Sequence, residues 1–153
     1  MRSTLIFAAI SVAFTGCAIG QQTAESCKAD LHGFWREKDI YEAIELFKNL
    51  KIALDKDDRA AAASMMFYPL RVSGQYRVHN RTAFLNHYDR IFDSKVREGI
   101  ERQIPECLAG NWQGFRTEFG EVWIEALNGG HMKVIAVNSD SWPKESNRDH
   151  STK

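Results

Sequence analysis

The chain has 153 residues, enough for one domain with a hydrophobic core, and its hydrophobic and charged shares of 44% and 26% are typical of a globular protein. Lys plus Arg and Asp plus Glu number 20 each, so the formal net charge is zero. This balance excludes a large positively charged surface over the whole protein. We therefore expect no nucleic-acid partner and no electrostatic capture by an anionic membrane.

The first twenty residues have the pattern of a bacterial export signal. Arg2 supplies the positive start, and an uncharged apolar run follows from Leu5 to Phe14. This run is too short for a comfortable membrane-spanning helix, which needs about 20 residues. Residues 1–20 are therefore interpreted as a signal peptide, and the mature protein is expected in the periplasm or outside the cell.

Two cleavage sites are consistent with this leader, and the sequence leaves both open. The segment Phe14-Thr15-Gly16-Cys17 resembles a lipobox, and a lipid on Cys17 would then anchor the protein to a bacterial membrane. The segment Ala18-Ile19-Gly20 instead offers small residues at the spacing that an ordinary signal peptidase prefers. In that case the mature chain begins at Gln21. A lipid on Cys17 is the one membrane attachment that we expect.

Both cleavage sites leave Cys27 and Cys107 in the mature chain. In an oxidising compartment, such a pair is most simply a disulfide. It would close a loop of about 80 residues, which stabilises by about 4 kcal/mol in the chain-entropy model. The alternative is two separate buried thiols. Neither cysteine has a ligand at metal-binding spacing and the histidines share no periodic face, so we expect no metal and no other cofactor.

The helical part of the chain is predicted to follow a strap at residues 21–38, whose Phe34 and Trp35 would dock on the body. The first helix is predicted from Asp39, which would cap it, with Glu42 three residues further on. Apolar residues then recur at a spacing of three and four, which predicts one buried stripe. Its members are Ile40, Ala43, Ile44, Phe47, Leu50 and Leu54.

A second helix is predicted from Arg59 to Phe67 and is expected to end because of Pro69. Strands at residues 70–72 and 76–78 would form a hairpin through Ser73-Gly74. Asn80 would then cap a third helix. The apolar stripe of this helix is Phe84, Leu85, Tyr88, Ile91 and Phe92.

Asp93 or Ser94 would cap a further helical stretch with Val96, Ile100 and Ile104 on its apolar side, ending at Pro105. Beyond this proline the pattern changes from helix to strand. Residues 108–119 are predicted as one strand, bent or bulged at Gly110 and Gly114.

The segments 122–127 and 132–137 flank Asn128-Gly129-Gly130, the clearest hairpin signal in the chain. Alternation places Val122 and Ile124 on one face, and Trp123 with Glu121 and Glu125 on the other. The polar residues 139–153 are predicted to form a disordered tail.

Helices with a short hairpin before the third, followed by antiparallel strands, form an α+β order. With the phrases YPLRV, HNRTAFLNHYDRIF, NWQG and GEVWIEALNGGHMKVIAVN, this order resembles the nuclear transport factor two-like (cystatin-like) superfamily. The phrases are similar to small exported bacterial members of unassigned activity. The resemblance covers residues 39–137 and implies a single domain at 39–138, in which a curved antiparallel sheet wraps its helices into a cone with a pocket.

Enzymes of this superfamily place Asp, His or Tyr in the cone, where desolvation raises the pKa of a carboxylate and makes it a base. The resemblance therefore implies four catalytic candidates: Asp89, His87, Tyr68 and Glu121. Consecutive residues of a helix do not share a face, so His87 and Asp89 cannot enter one pocket together with Tyr88. For this reason no convergent acid–base set is expected.

Four aromatic residues are candidates for a pocket or a partner surface, although strand aromatics also fill cores: Tyr76, Trp112, Phe115 and Trp123.

The leading hypothesis is an exported, non-catalytic binding module that engages a small apolar ligand or a periplasmic protein through the cone pocket or the sheet face. An inhibitor or immunity-like role belongs to this class, and a dimer through the sheet is left open. The alternative is a small lyase or isomerase that uses a carboxylate or histidine in the cone. A third hypothesis is a structural lipoprotein held by Cys17.

Overall fold

The computed structural model describes residues 35–127 and 130–142. The predictions for the signal peptide, for Cys17 and Cys27, for most of the strap, for the centre of the Asn128-Gly129-Gly130 turn and for residues 143–153 lie outside this part of the chain. Within it, the predicted α+β class is confirmed. The described residues form five α-helices, one short 3-10 helix and one six-stranded, mostly antiparallel sheet.

Helix α1 spans Glu37–Asp55 and begins two residues before the predicted start. Asp39 is therefore not its cap, and the prediction was wrong on this point. Its buried carboxylate instead accepts hydrogen bonds of 2.7 and 2.9 Å from the Arg36 guanidinium. The predicted apolar stripe is confirmed, because all six of its members are buried.

Helix α2 spans Arg59–Met65, and Asp58 caps it by accepting a 2.9 Å hydrogen bond from the Ala61 amide. The chain then turns directly into strand β1, Met66–Val72. Pro69 lies inside this strand, so the prediction of a longer helix stopped by this proline was wrong. Because the register of β1 on its neighbour is interrupted between Met66 and Arg71, the missing N–H of the proline falls where the ladder is irregular.

The predicted hairpin is confirmed: β1 pairs antiparallel with β2, Tyr76–Val78. Asn80 caps helix α3, Arg81–Asn86, with its side-chain oxygen accepting from the Ala83 amide at 2.9 Å. The predicted third helix breaks at His87, and α4 follows at Tyr88–Ile91. The apolar stripe nevertheless stays buried, apart from the half-buried Leu85.

Asp93 caps helix α5, Ser94–Arg102, as predicted, by accepting a 2.9 Å hydrogen bond from the Val96 amide. The helix ends before Ile104, which is 45% exposed and does not belong to a buried stripe. The 3-10 helix Pro105–Cys107 then leads into the strands.

The predicted single strand over residues 108–119 is instead two short antiparallel strands, β3 at Ala109–Asn111 and β4 at Gly114–Arg116. The turn between them is held by Asn111, whose side-chain oxygen accepts a 2.8 Å hydrogen bond from the Gln113 amide. Gly114 has a φ of 138°, and a Cβ there would lie 2.2 Å from the carbonyl oxygen of Ile124. Only glycine allows β4 to approach the next strand this closely.

Strands β5, Val122–Ala126, and β6, Met132–Val137, pair antiparallel, which confirms the predicted hairpin strands. The sheet order is β2-β1-β6-β5-β4-β3, and β1 pairs with β6 in parallel. This parallel contact joins the first and last strands of the chain inside an open sheet, whose edges are β2 and β3.

The core lies between the sheet and the helices, and α1 packs across β5 and β6. It is filled by large side chains that are fully buried: Phe47, Phe84, Tyr88, Phe92, Phe115 and Ile124. Residues of the sheet that point away from α1 form a second surface, which we call the outer face. Arg71, Trp123, Glu125, Lys133 and Ala136 belong to it.

The first four residues of the predicted tail pack on the body. Ser139 is buried and its hydroxyl donates to Asp93 at 2.8 Å. Trp142 packs its ring against Tyr76 and His87, with ring centroids 5.6 and 5.3 Å apart, and the guanidinium of Arg90 lies over it at 4.8 Å. The folded body therefore extends at least to Trp142.

Candidate functional site

The outer face carries a groove of about 420 Å³. Its wall includes both tryptophans of the predicted binding set, Trp112 and Trp123, together with Arg71, Glu125, Ile135 and Ala136. Trp112 is 76% exposed, an unusually open position for a large aromatic ring. Aromatic rings combined with charged groups in a concave surface are typical of recognition sites.

The groove arises from one cross-strand row of the sheet. The row crosses strands β2, β1, β6, β5 and β4. These strands contribute, in the same order, Arg77, Arg71, Ala136, Trp123 and Arg116. Because paired residues share a face, these side chains emerge together on the outer face. The small Ala136 stands between Arg71 and Trp123 and leaves the space that forms the groove.

Local structure positions the two tryptophans. Trp123 is the second residue of β5, where alternation directs it away from the buried Val122 and Ile124. Trp112 lies in the β3–β4 turn, which the Asn111 side chain holds in place. The indole of Trp112 is therefore carried beside the sheet rather than under the helices.

The other two members of the predicted aromatic set lie elsewhere. Phe115 is fully buried and contacts the ring of Trp35 at a centroid distance of 4.9 Å. It is a core residue and does not line the groove. Tyr76 faces the side of the sheet that carries the helices, where it packs on Trp142. The predicted docking of Trp35 is confirmed, and its indole N–H also donates to the Asn111 carbonyl at 2.8 Å.

The catalytic candidates do not converge. Asp89 is exposed and forms a two-pronged ion pair with Arg59, at 3.0 Å for both hydrogen bonds. His87 lies at the break between α3 and α4, edge-on to Trp142. Both side chains make contacts within the folded body. The two do not line a common cavity among the described residues.

Tyr68 is half-buried, and its hydroxyl donates to the Ala63 carbonyl at 3.1 Å while its ring packs edge-on to Phe84. Burial raises the pKa of its phenol above the ordinary value. A phenol with a raised pKa that already donates to backbone is poorly suited to act as a base at neutral pH.

Glu121 occupies a different position from the one predicted. It lies one residue before β5 and does not share the outer face with Trp123. Its side chain packs against Gly99 of α5, where a Cβ would come within 2.5 Å of the Glu121 carboxylate oxygen. The residue is 4% exposed and its carboxylate accepts a 2.6 Å hydrogen bond from the Thr117 hydroxyl.

Glu121 also lines a second groove, of about 570 Å³, between α5 and the end of β6. Lys95 and Arg102 line it too, but Lys95 pairs with Asp140 at 2.7 Å and Arg102 with Glu98 at 3.8 Å. Of the four catalytic candidates, Glu121 is thus the buried carboxylate at the edge of a cavity.

Cys107 is disulfide-bonded. Cys27 lies outside the described residues, so its pairing with Cys107 stays a prediction. In the described ranges, no group of three or more His, Cys, Asp or Glu side chains is placed to hold a metal ion. The same ranges contain no helix with the length and apolar character needed to cross a bilayer.

Sequence reasoning identified the tryptophans but did not bring together the three arginines around them. Arg71, Arg77 and Arg116 are separated by up to 45 residues, and no periodicity in the sequence links them. Each alone has the pattern of a solvent-facing strand residue. Only the strand order brings them into one row.

Comparisons with models of known protein families, with curated proteins and with solved structures found no match.

Proposed function

We propose that this chain is an exported, non-catalytic binding module that recognises a protein partner through the outer face of its sheet. The observation that carries the proposal is the groove between Arg71 and Trp123, with the open ring of Trp112 at its wall. Tryptophan and arginine are the residues that most often dominate the energy of protein interfaces. An inhibitor or immunity-like role fits a module of this kind.

We also propose that the chain has the fold of the nuclear transport factor two-like superfamily that it resembles, with a cone-shaped sheet. Two helices, a hairpin, further helices and then four strands follow in the expected order, which supports it. The buried aromatic residues between α1 and the sheet favour the outer face over an interior pocket as the binding surface. Export to the periplasm or the medium, with or without a lipid on Cys17, belongs to the same proposal because it rests on the leader sequence.

The test is capture of a partner from periplasmic extract by the immobilised mature protein. Trp112→Ala and Trp123→Ala are compared with Phe119→Ala, which removes another exposed aromatic ring, 72% exposed, from outside the groove. We expect a stoichiometric partner to bind the native protein and the Phe119 variant. Both tryptophan variants should bind it at least about tenfold more weakly.

Two results would contradict the proposal: no stoichiometric partner, or a partner retained equally by the tryptophan variants. Sedimentation of the purified protein adds a further comparison. A dimer that the Trp123→Ala change dissociates would show that the outer face binds a second copy of the chain rather than another protein.

A second candidate function is a small lyase or isomerase, and the buried carboxylate of Glu121 at the edge of its groove is the observation that favours it. Glu121→Gln keeps the size of the side chain and an acceptor for the Thr117 hydroxyl while it removes the base. An isomerase or lyase activity found in the native protein should then fall by about a hundredfold or more. Activity unchanged in this variant would exclude Glu121 as the base.

A further inference from the structure

We infer that the partner of the outer face presents an extended segment with two carboxylates that flank an apolar side chain. This inference rests on the proposed function and specifies the chemistry of the partner. Its basis is the arginine row formed by Arg77, Arg71 and Arg116, with Trp123 between the last two.

The arginines of the row lack carboxylate partners within the described residues. Arg71 makes neither an ion pair nor a hydrogen bond there, and it lines the groove. Arg77 donates only to backbone carbonyls of the β1–β2 turn. Arg116 donates to the carbonyls of Thr117 and Glu118, and its guanidinium lies 5.9 Å from the centre of the Trp123 ring.

This arrangement is a local concentration of positive charge. The whole chain has a formal net charge of zero, and many of its other basic groups have partners, such as Arg59 with Asp89 and Lys95 with Asp140. Of the carboxylates, Glu125 lies on the outer face, and Lys133 stands directly opposite it on β6. The Lys133 ammonium donates to the Ser64 carbonyl at 2.7 Å, so it forms no ion pair with Glu125. Counting the three arginines and Lys133 against Glu125, these outer-face groups carry three more positive than negative charges, and guanidinium groups prefer carboxylates as partners.

The strand spacing determines the geometry of the partner. Arg71 and Arg116 are three strands apart, and adjacent strands lie about 4.8 Å apart, so their backbones are separated by about 14 Å. An extended segment rises about 3.3 Å per residue, so carboxylates four residues apart match this distance. The side chain midway between them would enter the groove over Ala136, beside the Trp123 ring.

Arginine rows can also attract phosphate groups of lipids. The groove combines apolar surface from the two tryptophans, Ile135 and Ala136 with polar groups from Gln113 and Asn138 at the centre of the row. This mixture favours a polypeptide over a lipid headgroup, because a polypeptide presents an apolar side chain between polar ones. In known modes of peptide binding, pockets that take alternate side chains of an extended segment provide the specificity.

The inference is tested with the mature protein and a defined probe, the peptide acetyl-Glu-Thr-Phe-Thr-Glu-amide. Binding is followed by ¹H–¹⁵N NMR, in which the indole N–H of Trp123 reports on the groove. The control peptide carries Gln in place of both Glu residues. The protein variants are Arg71→Gln and Arg116→Gln, and Arg81→Gln is the matched control because it removes an exposed arginine of α3.

We expect the Glu peptide to shift the Trp123 signal and the Gln peptide to bind at least about tenfold more weakly. Arg71→Gln and Arg116→Gln should each weaken binding about threefold to tenfold, and Arg81→Gln should not change it. Added salt should weaken the Glu peptide more than the Gln peptide, because it screens charge.

Equal binding of the two peptides, or no binding of either, would overturn the inference. So would binding of phosphatidylglycerol vesicles through Arg71 and Arg116 without binding of the peptide. A different result would contradict the proposed function: tryptophan variants that retain the captured partner. A partner that depends on Trp112 and Trp123 but not on the arginines would leave that proposal standing and refute this inference.

Discussion

The backbone N–H of Ser141 donates a hydrogen bond of 2.8 Å to the Asp93 carboxylate, across 48 residues of sequence. The same carboxylate caps α5 through the Val96 amide and accepts from the Ser139 hydroxyl. Asp93 is 8% exposed, so these hydrogen bonds replace water around a buried charge. One side chain thereby joins the start of α5 to the segment that follows β6.

We expect Asp93→Asn to lower the free energy of unfolding by about 1–3 kcal/mol. The amide can still cap α5 with its oxygen, but its NH₂ group would face the donors of Ser139 and Ser141. Denaturation by urea measures the loss. The matched control is Asp140→Asn, which removes the exposed pair with Lys95 and should cost no more than about 1 kcal/mol. Equal losses for the two variants would contradict the role of Asp93.

Stability should fall in acid, and Asp93 should account for part of the fall. Burial acts to raise its pKa, but the hydrogen bonds from Val96, Ser141 and Ser139 together outweigh it and hold the pKa below the ordinary 3.8. The hydrogen bonds from Arg36 lower the pKa of Asp39 in the same way, against a smaller opposing effect of burial.

A carboxylate with a lowered folded-state pKa contributes stability above its unfolded pKa and loses it as the pH falls through the folded pKa. Unfolding free energies measured between about pH 5 and pH 2 should therefore decline less steeply for Asp93→Asn than for the native protein. Parallel curves for the two proteins would show that Asp93 does not contribute.

Gly114→Ala should destabilise the β3–β4 hairpin more than Gly74→Ala destabilises the β1–β2 turn. Both glycines have positive φ, at 138° and 84°, but only the Cβ at residue 114 meets an atom, the Ile124 carbonyl oxygen at 2.2 Å. We expect a loss of about 1–3 kcal/mol from strain at either site, and a further loss of similar size from overpacking at residue 114. Thermal unfolding of the two variants checks the order, and equal shifts would contradict it.

The disulfide of Cys107 is predicted to involve Cys27. Cys107→Ser and Cys27→Ser should each lower stability by about 2–5 kcal/mol, and the double variant should lose no more than either single variant. Cys17→Ser is the control and should leave stability unchanged. Peptide mapping of the non-reduced protein by mass spectrometry identifies the bridge directly. Destabilisation by Cys17→Ser alone, or stability that reductant does not change, would refute the pairing.

Features that depend on neighbouring residues were predictable from the sequence. The caps formed by Asn80 and Asp93 need only a side-chain acceptor three residues before a free amide. The buried stripe of α1 follows from helical periodicity, and the hairpins follow from short strands around turn residues. The α+β class follows from the order of these elements along the chain.

Other features were decided by contacts between distant parts of the chain. Met66 leaves the predicted helix because it pairs with Val134 on β6, and propensity alone contains no information about that strand. Glu121 packs against Gly99 because α5 approaches the start of β5, although alternation along the strand placed the carboxylate beside Trp123.

The candidate site divides in the same way. Trp112 and Trp123 were identifiable as aromatic strand and turn residues, because composition and alternation reveal them. The groove needs Ala136 between Trp123 and Arg71, and the arginine row needs β1 beside β6 and β4 beside β5. The sequence by itself determined that Trp123 and Glu125 share one face of β5, because alternation along a strand fixes this. The tertiary structure decided which of them lie together, because the pairing of strands is set by the burial of the whole core and not by local pattern.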